Sequence, residues 1–310
     1  MNLMNKLLRR ILPLALAALA SCDSPTDASA GEREILFFRL VDGFTQIFAI
    51  RPDGTREVQL THGEGNNRCA RWSPDRKKIS FLGDRLTTRA YEVYTMDPDG
   101  GNVFRVTRDA GFAACADWSP DGGRLVYSGA NPATGRFNLY TIAPNGENRT
   151  LLAGHEWDDI EPRWSPDGRT ILYLENRGIL VNGTWNYGYR MRLVSPDGTG
   201  GRPLPSTCPS NIAGADWSPD GSWIVFNCES GASRTVRMIQ SDGSNESTTL
   251  GGSLFHGFEP SWSPDGKRLL VGRTTSGNLD LFTVALDGTG AIQVTTDPAS
   301  DVPTDWGGRP

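Results

Sequence analysis

Three histidines and two glutamates are the residues of this chain best suited to chemistry. His62, His155 and His256 are the only histidines among 310 residues, and imidazole nitrogens are common metal ligands that bind at about 2 Å. Glu161 and Glu259 each precede a proline, and paired carboxylates can act as acid and base. Whether any of these side chains meet depends on the elements that carry them.

A repeated string dominates the chain. "RWSPD" at residues 71–75 recurs as "DWSPDG", "RWSPDG", "DWSPDG" and "SWSPDG", and the repeated tryptophans, with a last one at 306, are 46, 46, 53, 45 and 44 residues apart. Each unit reads as four short strands with apolar residues at period two, separated by Pro-Asp-Gly or Asp-Gly turns. A period in the mid-forties without a helical pattern predicts four-stranded propeller blades.

The ends of the repeated array predict how the ring closes. Before the first copy the chain has only the strands "ILFFRL", "QIFAIR" and "EVQLT", and after the last it has only "PTDWGG". Three strands at the start and one at the end make one blade. We therefore expect an all-β, six-bladed propeller of four-stranded antiparallel blades over residues 35–310, closed by joining the two ends in one sheet.

These strings resemble the TolB-type propeller repeat, a relative of the WD repeat. The likeness rests on "DWSPDG…LVYSG…NLYTIAPNG" and "EPRWSPDG…ILYLEN" and covers about residues 35–307. It implies the propeller fold and an envelope compartment, because TolB is a periplasmic protein that binds partner proteins through its propeller. TolB carries an additional N-terminal domain that has no counterpart in this sequence, so the resemblance does not imply TolB's own role.

The loops after the second and fourth strands should form one irregular face of the propeller, which we call the loop face. The turns after the first and third strands repeat closely and should form the opposite, turn face. Loops on a rigid scaffold concentrate binding residues. We therefore expect a partner site on the loop face, at the aromatic, acidic and histidine side chains Trp157, Trp185, Tyr187, His155, Asp158, Phe255 and His256.

A three-histidine metal site at the channel mouth is the alternative use of this face. His62, His155 and His256 belong to loops of alternate blades, which are too far apart for bonds of about 2 Å unless the loops fold inward. We therefore expect no metal and no cofactor. The glutamates Glu161 and Glu259 also lie two blades apart, which favours a role at the rim over acid–base chemistry.

Five cysteines divide into one lipidation site and two disulfides. Cys69 and Cys115 occupy equivalent positions three residues before their tryptophans, so we expect them to be joined, and Cys208 with Cys228 then follows by elimination. The residue before each tryptophan alternates in charge over the first four units. From this alternation we expect ion pairs between blades, Arg71 with Asp117 and Arg163 with Asp216.

The N-terminus has the layout of an export signal. Lys6, Arg9 and Arg10 precede the apolar run "ILPLALAALA", and "LASC" resembles a lipobox whose Cys22 is lipidated after cleavage. Residues 1–21 are thus predicted to be a lipoprotein signal peptide and residues 22–34 a flexible tether. The inner and the outer membrane both stay open as destinations.

Charge narrows the choice of partners. The net charge is −5, and it becomes −8 without residues 1–21, which carry three positive and no negative charges. An acidic chain without a basic run is poorly suited to nucleic acid. The sequence therefore favours a non-catalytic, lipid-anchored scaffold that is periplasmic or on the cell surface and binds an envelope protein, a peptide or a glycan. The alternative is a carbohydrate-active lyase or hydrolase with a site at the channel mouth.

Overall fold

The computed structural model describes most of the repeated region. The described residues are 34–85, 90–108, 112–154, 156–177, 179–181, 184–186, 188–209, 211–230, 233–250, 259–275 and 277–307. They form strands, turns and loops and contain no helix. None of the described segments is therefore a helix that could cross a bilayer.

The described residues form twenty-six strands. The chain begins with β1 (Ile35–Val41), β2 (Phe44–Ile50) and β3 (Val58–Gln59). Blade 1 consists of β4 (Asn67–Trp72), β5 (Ile79–Gly83), β6 (Glu92–Met96) and β7 (Phe104–Arg105). Blade 2 consists of β8 (Ala113–Trp118), β9 (Leu125–Ala130), β10 (Phe137–Ile142) and β11 (Thr150–Ala153).

The third blade carries an additional hairpin, and the next two are regular. Blade 3 consists of β12 (Asp158–Trp164), β13 (Ile171–Asn176), the hairpin β14 (Ile179–Val181) and β15 (Thr184–Asn186), then β16 (Tyr189–Val194) and β17 (Arg202–Pro203). Blade 4 consists of β18 (Asn211–Trp217), β19 (Trp223–Ser230), β20 (Ser233–Gln240) and β21 (Ser247–Leu250). Blade 5 consists of β22 (Ser261–Trp262), β23 (Arg268–Thr275), β24 (Asn278–Ala285) and β25 (Ile292–Gln293).

The last strand closes the ring as predicted. β26 (Asp301–Trp306) pairs with β1, so that blade 6 has the strand order β26-β1-β2-β3. Ile35 lies opposite Trp306, and Arg39 lies opposite Asp301. Glu34, which the sequence assigned to the tether, takes part in this closure, because its carbonyl oxygen accepts hydrogen bonds from Gly307 N at 2.7 Å and from Trp72 Nε1 at 3.1 Å.

Apolar side chains form six cores, one at each junction between blades. In β13, Ile171 and Tyr173 pack toward blade 2, whereas Leu172 and Leu174 pack toward blade 4. This division follows from the two-residue period of a strand, whose successive side chains point to opposite faces. Each of the six cores contains one of the repeated tryptophans, and the core between blades 5 and 6 contains Trp306. The repeated tryptophan is a packing residue.

Glycines of the second turn in a blade let that turn approach the previous blade. Gly100 has φ +86° and lies against the carbonyl of Leu60, whereas Gly43, also at φ +86°, has no heavy atom within 4 Å of where a Cβ would stand. Both residues need the left-handed conformation, which glycine adopts without strain. Only Gly100 also needs the absence of a side chain.

Replacement of these two glycines by alanine separates backbone strain from steric clash. We expect Gly43→Ala to lower the free energy of unfolding by about 1 kcal/mol through φ alone. Gly100→Ala should cost on the order of 3 kcal/mol, because the Cβ also displaces the Leu60 carbonyl. Urea denaturation of both variants measures the difference, and equal losses would contradict the close packing of this turn.

Turn carboxylates make the fold sensitive to acid. In each of the five Ser-Pro-Asp turns the Ser hydroxyl donates to the Asp, as in Ser165–Asp167 at 2.6 Å, and so does the backbone N–H two residues on. These hydrogen bonds lower the pKa of the five carboxylates. The Ser hydroxyl is the main cause at Asp121, Asp167, Asp220 and Asp265, and the Lys77 N–H is the main cause at Asp75. A lowered folded-state pKa contributes stability that is present above the unfolded pKa of about 3.9 and is lost as the pH falls through the folded value.

We therefore expect the melting temperature to fall steadily below about pH 4. A variant with Asn at all five turn positions should lose less stability between pH 5 and pH 3, since Asn keeps an acceptor oxygen but does not titrate. Calorimetry of both proteins across this range is the measurement. Identical acid sensitivity would show that the turn carboxylates do not cause it.

Candidate functional site

The structure separates the two faces of the propeller as the sequence predicted. On the turn face, one shallow cavity is lined both by first turns of blades 1 and 2, at Pro74 and Pro120, and by a second turn at Pro144. On the loop face, another cavity joins the β1–β2 hairpin at Asp42 to the loop after β3 at His62. The regular turns and the irregular loops therefore lie at opposite ends of the channel.

The described part of the predicted partner site centres on Trp157 and Asp158. Trp157 is half-buried at the start of blade 3. The Asp158 carboxylate accepts a hydrogen bond from Phe137 N at 2.9 Å and lies 3.5 Å from Arg136 Nη1. Asp158 thus ties blade 3 to the neighbouring β9–β10 hairpin, in addition to any contact with a partner.

Most of the other predicted site residues lie outside the described residues. These are His155, Tyr187, Phe255 and His256, together with Cys22. The backbone of Trp185 lies in β15, opposite Leu180, so the loop of blade 3 contains a two-stranded hairpin that the sequence analysis did not predict. Of the three histidines, His62 is described, and it is exposed beside Glu64 and Gln59 in a cavity of about 440 Å³.

In four of the blades, a polar side chain six residues before the repeated tryptophan ties the blade to the hairpin of the blade before it. The side-chain oxygen accepts a hydrogen bond, at 2.8–3.1 Å, from a backbone N–H at the start of the third strand of the preceding blade. The described pairs of acceptor and donor are Asn66–Thr45, Asp158–Phe137, Asn211–Tyr189 and Ser300–Leu279. His256 occupies this position in blade 5, outside the described residues. Blade 2 has Phe112 there, and its side chain is 53% exposed.

Phe112 was missed from the sequence, although the repeats contain the signal. Aligning the units on their tryptophans sets Phe112 beside Asn66, Asp158, Asn211, His256 and Ser300. An aromatic residue among polar residues at one position of a repeat marks a departure from the structural rule.

The residues just before the tryptophans form the inner wall of the channel, and the predicted ion pairs were wrong. Arg71 Nη1 lies 3.3 Å from Asp305 Oδ1, and Arg71 Nη2 lies 3.8 Å from Glu259 Oε2, so Arg71 is paired with blades 6 and 5 instead of with Asp117. Arg163 is fully buried, and its Nη1 donates to the carbonyl of Pro162 at 3.1 Å. Burial lowers the pKa of Arg163.

The acidic members of this wall cap backbone groups of the next blade. Asp117 Oδ2 accepts from Trp164 N at 2.8 Å, and Asp305 Oδ2 accepts from Trp72 N at 2.9 Å. Asp216 Oδ2 likewise accepts from Trp262 N at 3.5 Å, and the Ser261 hydroxyl oxygen accepts from Trp306 N at 3.2 Å. A carboxylate in this position satisfies a buried N–H that would otherwise cost stability. Asp305 does so with one oxygen while the other pairs with Arg71.

The residues three positions before the tryptophans form a second layer of the channel wall. Cys69, Glu161, Gly214 and Glu259 have positive φ there, and the pairing of β4, β12 and β18 shifts register at this point, as in a β-bulge. Glu161 Oε2 accepts from Gly214 N at 2.9 Å. Burial raises the pKa of Glu259.

The disulfides are those that the sequence predicted. Cys69 is joined to Cys115 between blades 1 and 2, and Cys208 is joined to Cys228 within blade 4. Among the described residues, Cys69, Cys115 and Glu259 place possible ligand atoms within 4.8 Å of one another. Two of these atoms are disulfide sulfurs, and metal binding requires the thiolate, so the group does not form a metal site.

The turn face holds a narrow axial pocket that the sequence analysis did not predict. Its cavity is about 40 Å³, and it is lined by Trp72, Pro74, Asp117, Trp118, Pro120, Asp216, Trp217, Pro219, Ser261, Trp262, Pro264, Asp305 and Trp306. A space of this size holds a few water molecules, which need roughly 10–15 Å³ each. Residues of the string that repeats five times therefore line the channel mouth in addition to forming the turns.

Known structures share this architecture. TolB from Acinetobacter baumannii superposes with a TM-score of 0.73 at 17% identity over 88% of this chain, which spans 66% of that longer protein, slightly under two thirds. A protein from Agrobacterium tumefaciens assigned as TolB gives 0.70 at 18% identity, covering 87% of this chain and 93% of its own. An oligogalacturonate lyase in complex with manganese gives 0.61 at 15% identity, covering 87% of this chain and 76% of its own.

At these identities the likeness shows the fold alone. No functionally curated protein matches the chain. The model of the TolB beta propeller domain matches residues 20–208, which is more than half of the chain. Together with the repeated strings and the closed ring of six blades, this match shows that the chain belongs to the TolB β-propeller domain family.

Proposed function

We propose that this chain is a lipid-anchored, non-catalytic binding scaffold of the cell envelope, which holds a protein or peptide partner on the loop face. The observation that carries the proposal is the contrast between the two faces. The Ser-Pro-Asp turns repeat the same hydrogen bonds in blade after blade. The loop face differs from blade to blade, with the β14–β15 hairpin in blade 3 and Phe112 in blade 2.

The described acidic groups near the channel support a binding role over a catalytic one. Asp117 and Asp305 cap tryptophan N–H groups, and Glu161 caps Gly214 N. A carboxylate held in this way satisfies a buried N–H and thereby serves the fold. The lyase resembles this chain in fold at 15% identity, and a shared propeller does not carry a shared chemistry.

Family membership and the N-terminal sequence support an envelope location. The charged start, the short apolar run and "LASC" at residues 19–22 match an exported lipoprotein. A tether of about a dozen residues would let the propeller move relative to the membrane, since polar linkers of this kind behave as flexible coils. The loop face would then be available to soluble and membrane-bound partners.

Cys22→Ser tests the anchor. We expect the variant to leave the membrane fraction and to be recovered in the soluble envelope fraction, because the acyl chains on Cys22 supply the attachment. Fractionation followed by immunoblotting is the measurement, with Cys208→Ser plus Cys228→Ser as a control that removes cysteines from the propeller. A Cys22→Ser protein that stays with the membrane would contradict lipid anchoring.

Affinity capture from detergent-solubilised envelope tests the face. We expect Trp157→Ala plus Trp185→Ala to lose most of the partner captured by the wild type, since aromatic side chains dominate binding energy at interfaces. Lys77→Ala plus Lys267→Ala is the matched control on the turn face, where both side chains are at least 80% exposed. Capture that survives the tryptophan variant but fails in the lysine variant would place the partner on the wrong face for this proposal.

A further inference from the structure

The junction between blades 1 and 2 gives up a structural hydrogen bond and exposes an aromatic ring in its place. At the other described junctions of this type, an Asn, Asp or Ser oxygen receives an N–H from the preceding hairpin. Phe112 has no acceptor atom in its side chain. Its ring is 53% exposed, so it also contributes little to a core. Neither stability nor packing explains a phenylalanine at this position.

The backbone around Phe112 is held firmly in place. Phe112 O accepts from Ala130 N at 2.8 Å, and the adjacent Ala113 N donates to Tyr91 O at 2.8 Å. The position is thus joined to the β9–β10 hairpin of blade 2 and to the start of β6 in blade 1. The ring projects from a backbone held by hydrogen bonds, so that binding has to order only the two side-chain torsions of Phe112.

Two arginine side chains lie near this aromatic position. The Arg68 guanidinium lies over the ring of Tyr91, 4.3 Å from its centroid, and donates to the Tyr91 hydroxyl. Arg108, four residues before Phe112, is exposed. In a chain of net charge −5, two arginines thus lie near the exposed Phe112.

We infer that this surface, formed by Phe112, Tyr91, Arg68 and Arg108, binds an acidic segment of a partner protein that carries an apolar side chain. The apolar side chain would pack on Phe112, and the carboxylates would meet the arginines, whose planar guanidinium groups match carboxylate geometry. Exposed aromatic and arginine side chains are enriched where proteins bind one another. The inference rests on the proposed function and specifies the partner's chemistry and its place on the loop face.

Phe112→Asn is the decisive variant, because asparagine occupies the equivalent position in two other blades, as Asn66 and Asn211. We expect its melting temperature to equal or exceed that of the wild type, since the new side chain can accept the hairpin N–H. A fall in melting temperature would show that Phe112 serves the fold and would overturn the inference. Leu151→Asn, which changes another exposed apolar residue on an outer strand, is the matched control.

Three synthetic twelve-residue peptides serve as binding probes. They share the same Leu and Trp residues and carry Asp and Glu, Asn and Gln, or Lys and Arg at the remaining positions. By fluorescence anisotropy we expect the acidic peptide to bind the wild type and Leu151→Asn at least tenfold more tightly than the amide peptide, and to lose at least tenfold in affinity with Phe112→Asn. Equal binding of the acidic and amide peptides, preference for the basic peptide, or absence of binding would overturn the inference.

Two further outcomes are distinguished from failure of the proposed function. If the envelope partner is captured through Trp157 and Trp185 while Phe112→Asn captures it fully, the scaffold proposal stands and this inference is overturned. If sedimentation shows a wild-type dimer that Phe112→Asn abolishes, the occupant is a second copy of the chain, and the inference of an acidic partner is likewise overturned.

Discussion

The pairing of β26 with β1 is the contact on which the rest of the structure depends. Each of the six cores lies between two blades, so an open ring would leave two half-cores in water. At the closure, Arg39 Nε lies 2.5 Å from Asp301 Oδ1 on the facing strand, and its Nη1 lies 2.8 Å from Glu57 Oε1. Arg76 Nη2 donates to Gly307 O at 2.7 Å and links the last residues to the first turn of blade 1. Closure also removes the exposed sheet edges that promote aggregation.

A closed ring of repeats limits where function can evolve. Positions that repeat are occupied by contacts between blades, such as Asp117 to Trp164 and Asp305 to Trp72. Changes at these positions break a buried hydrogen bond, which costs more than the bond contributes when made. Departures from the repeat are tolerated mainly on the loop face, where Phe112 replaces a polar side chain and blade 3 inserts a hairpin. The binding proposals follow from these departures, since they are features that the ring does not need.

The sequence was sufficient for the frame because the frame is periodic. The tryptophan spacing predicted six blades, the partial copies at the two ends predicted the closing sheet, and the equivalent positions of Cys69 and Cys115 predicted their disulfide. The ion pairs were wrong because charge alternation along the sequence does not reveal that Arg71 meets Asp305 and Glu259 from other blades, or that Asp117 accepts from Trp164 N. The β14–β15 hairpin and the axial pocket occur once, and no periodicity could indicate them. Phe112 could have been singled out from the aligned repeats. Its significance, however, became clear only from the hydrogen bonds that its counterparts make in the structure.

Partners are proposed to bind the loop face, while the turn face serves the fold. Photo-crosslinking in intact cells tests this proposal most directly, with benzoylphenylalanine introduced at position 112 on the loop face or at position 77 on the turn face. Lys77 is suitable for comparison because its side chain is 82% exposed. We expect a discrete protein adduct from position 112 and none from position 77. An adduct from position 77, with none from position 112, would contradict the proposal.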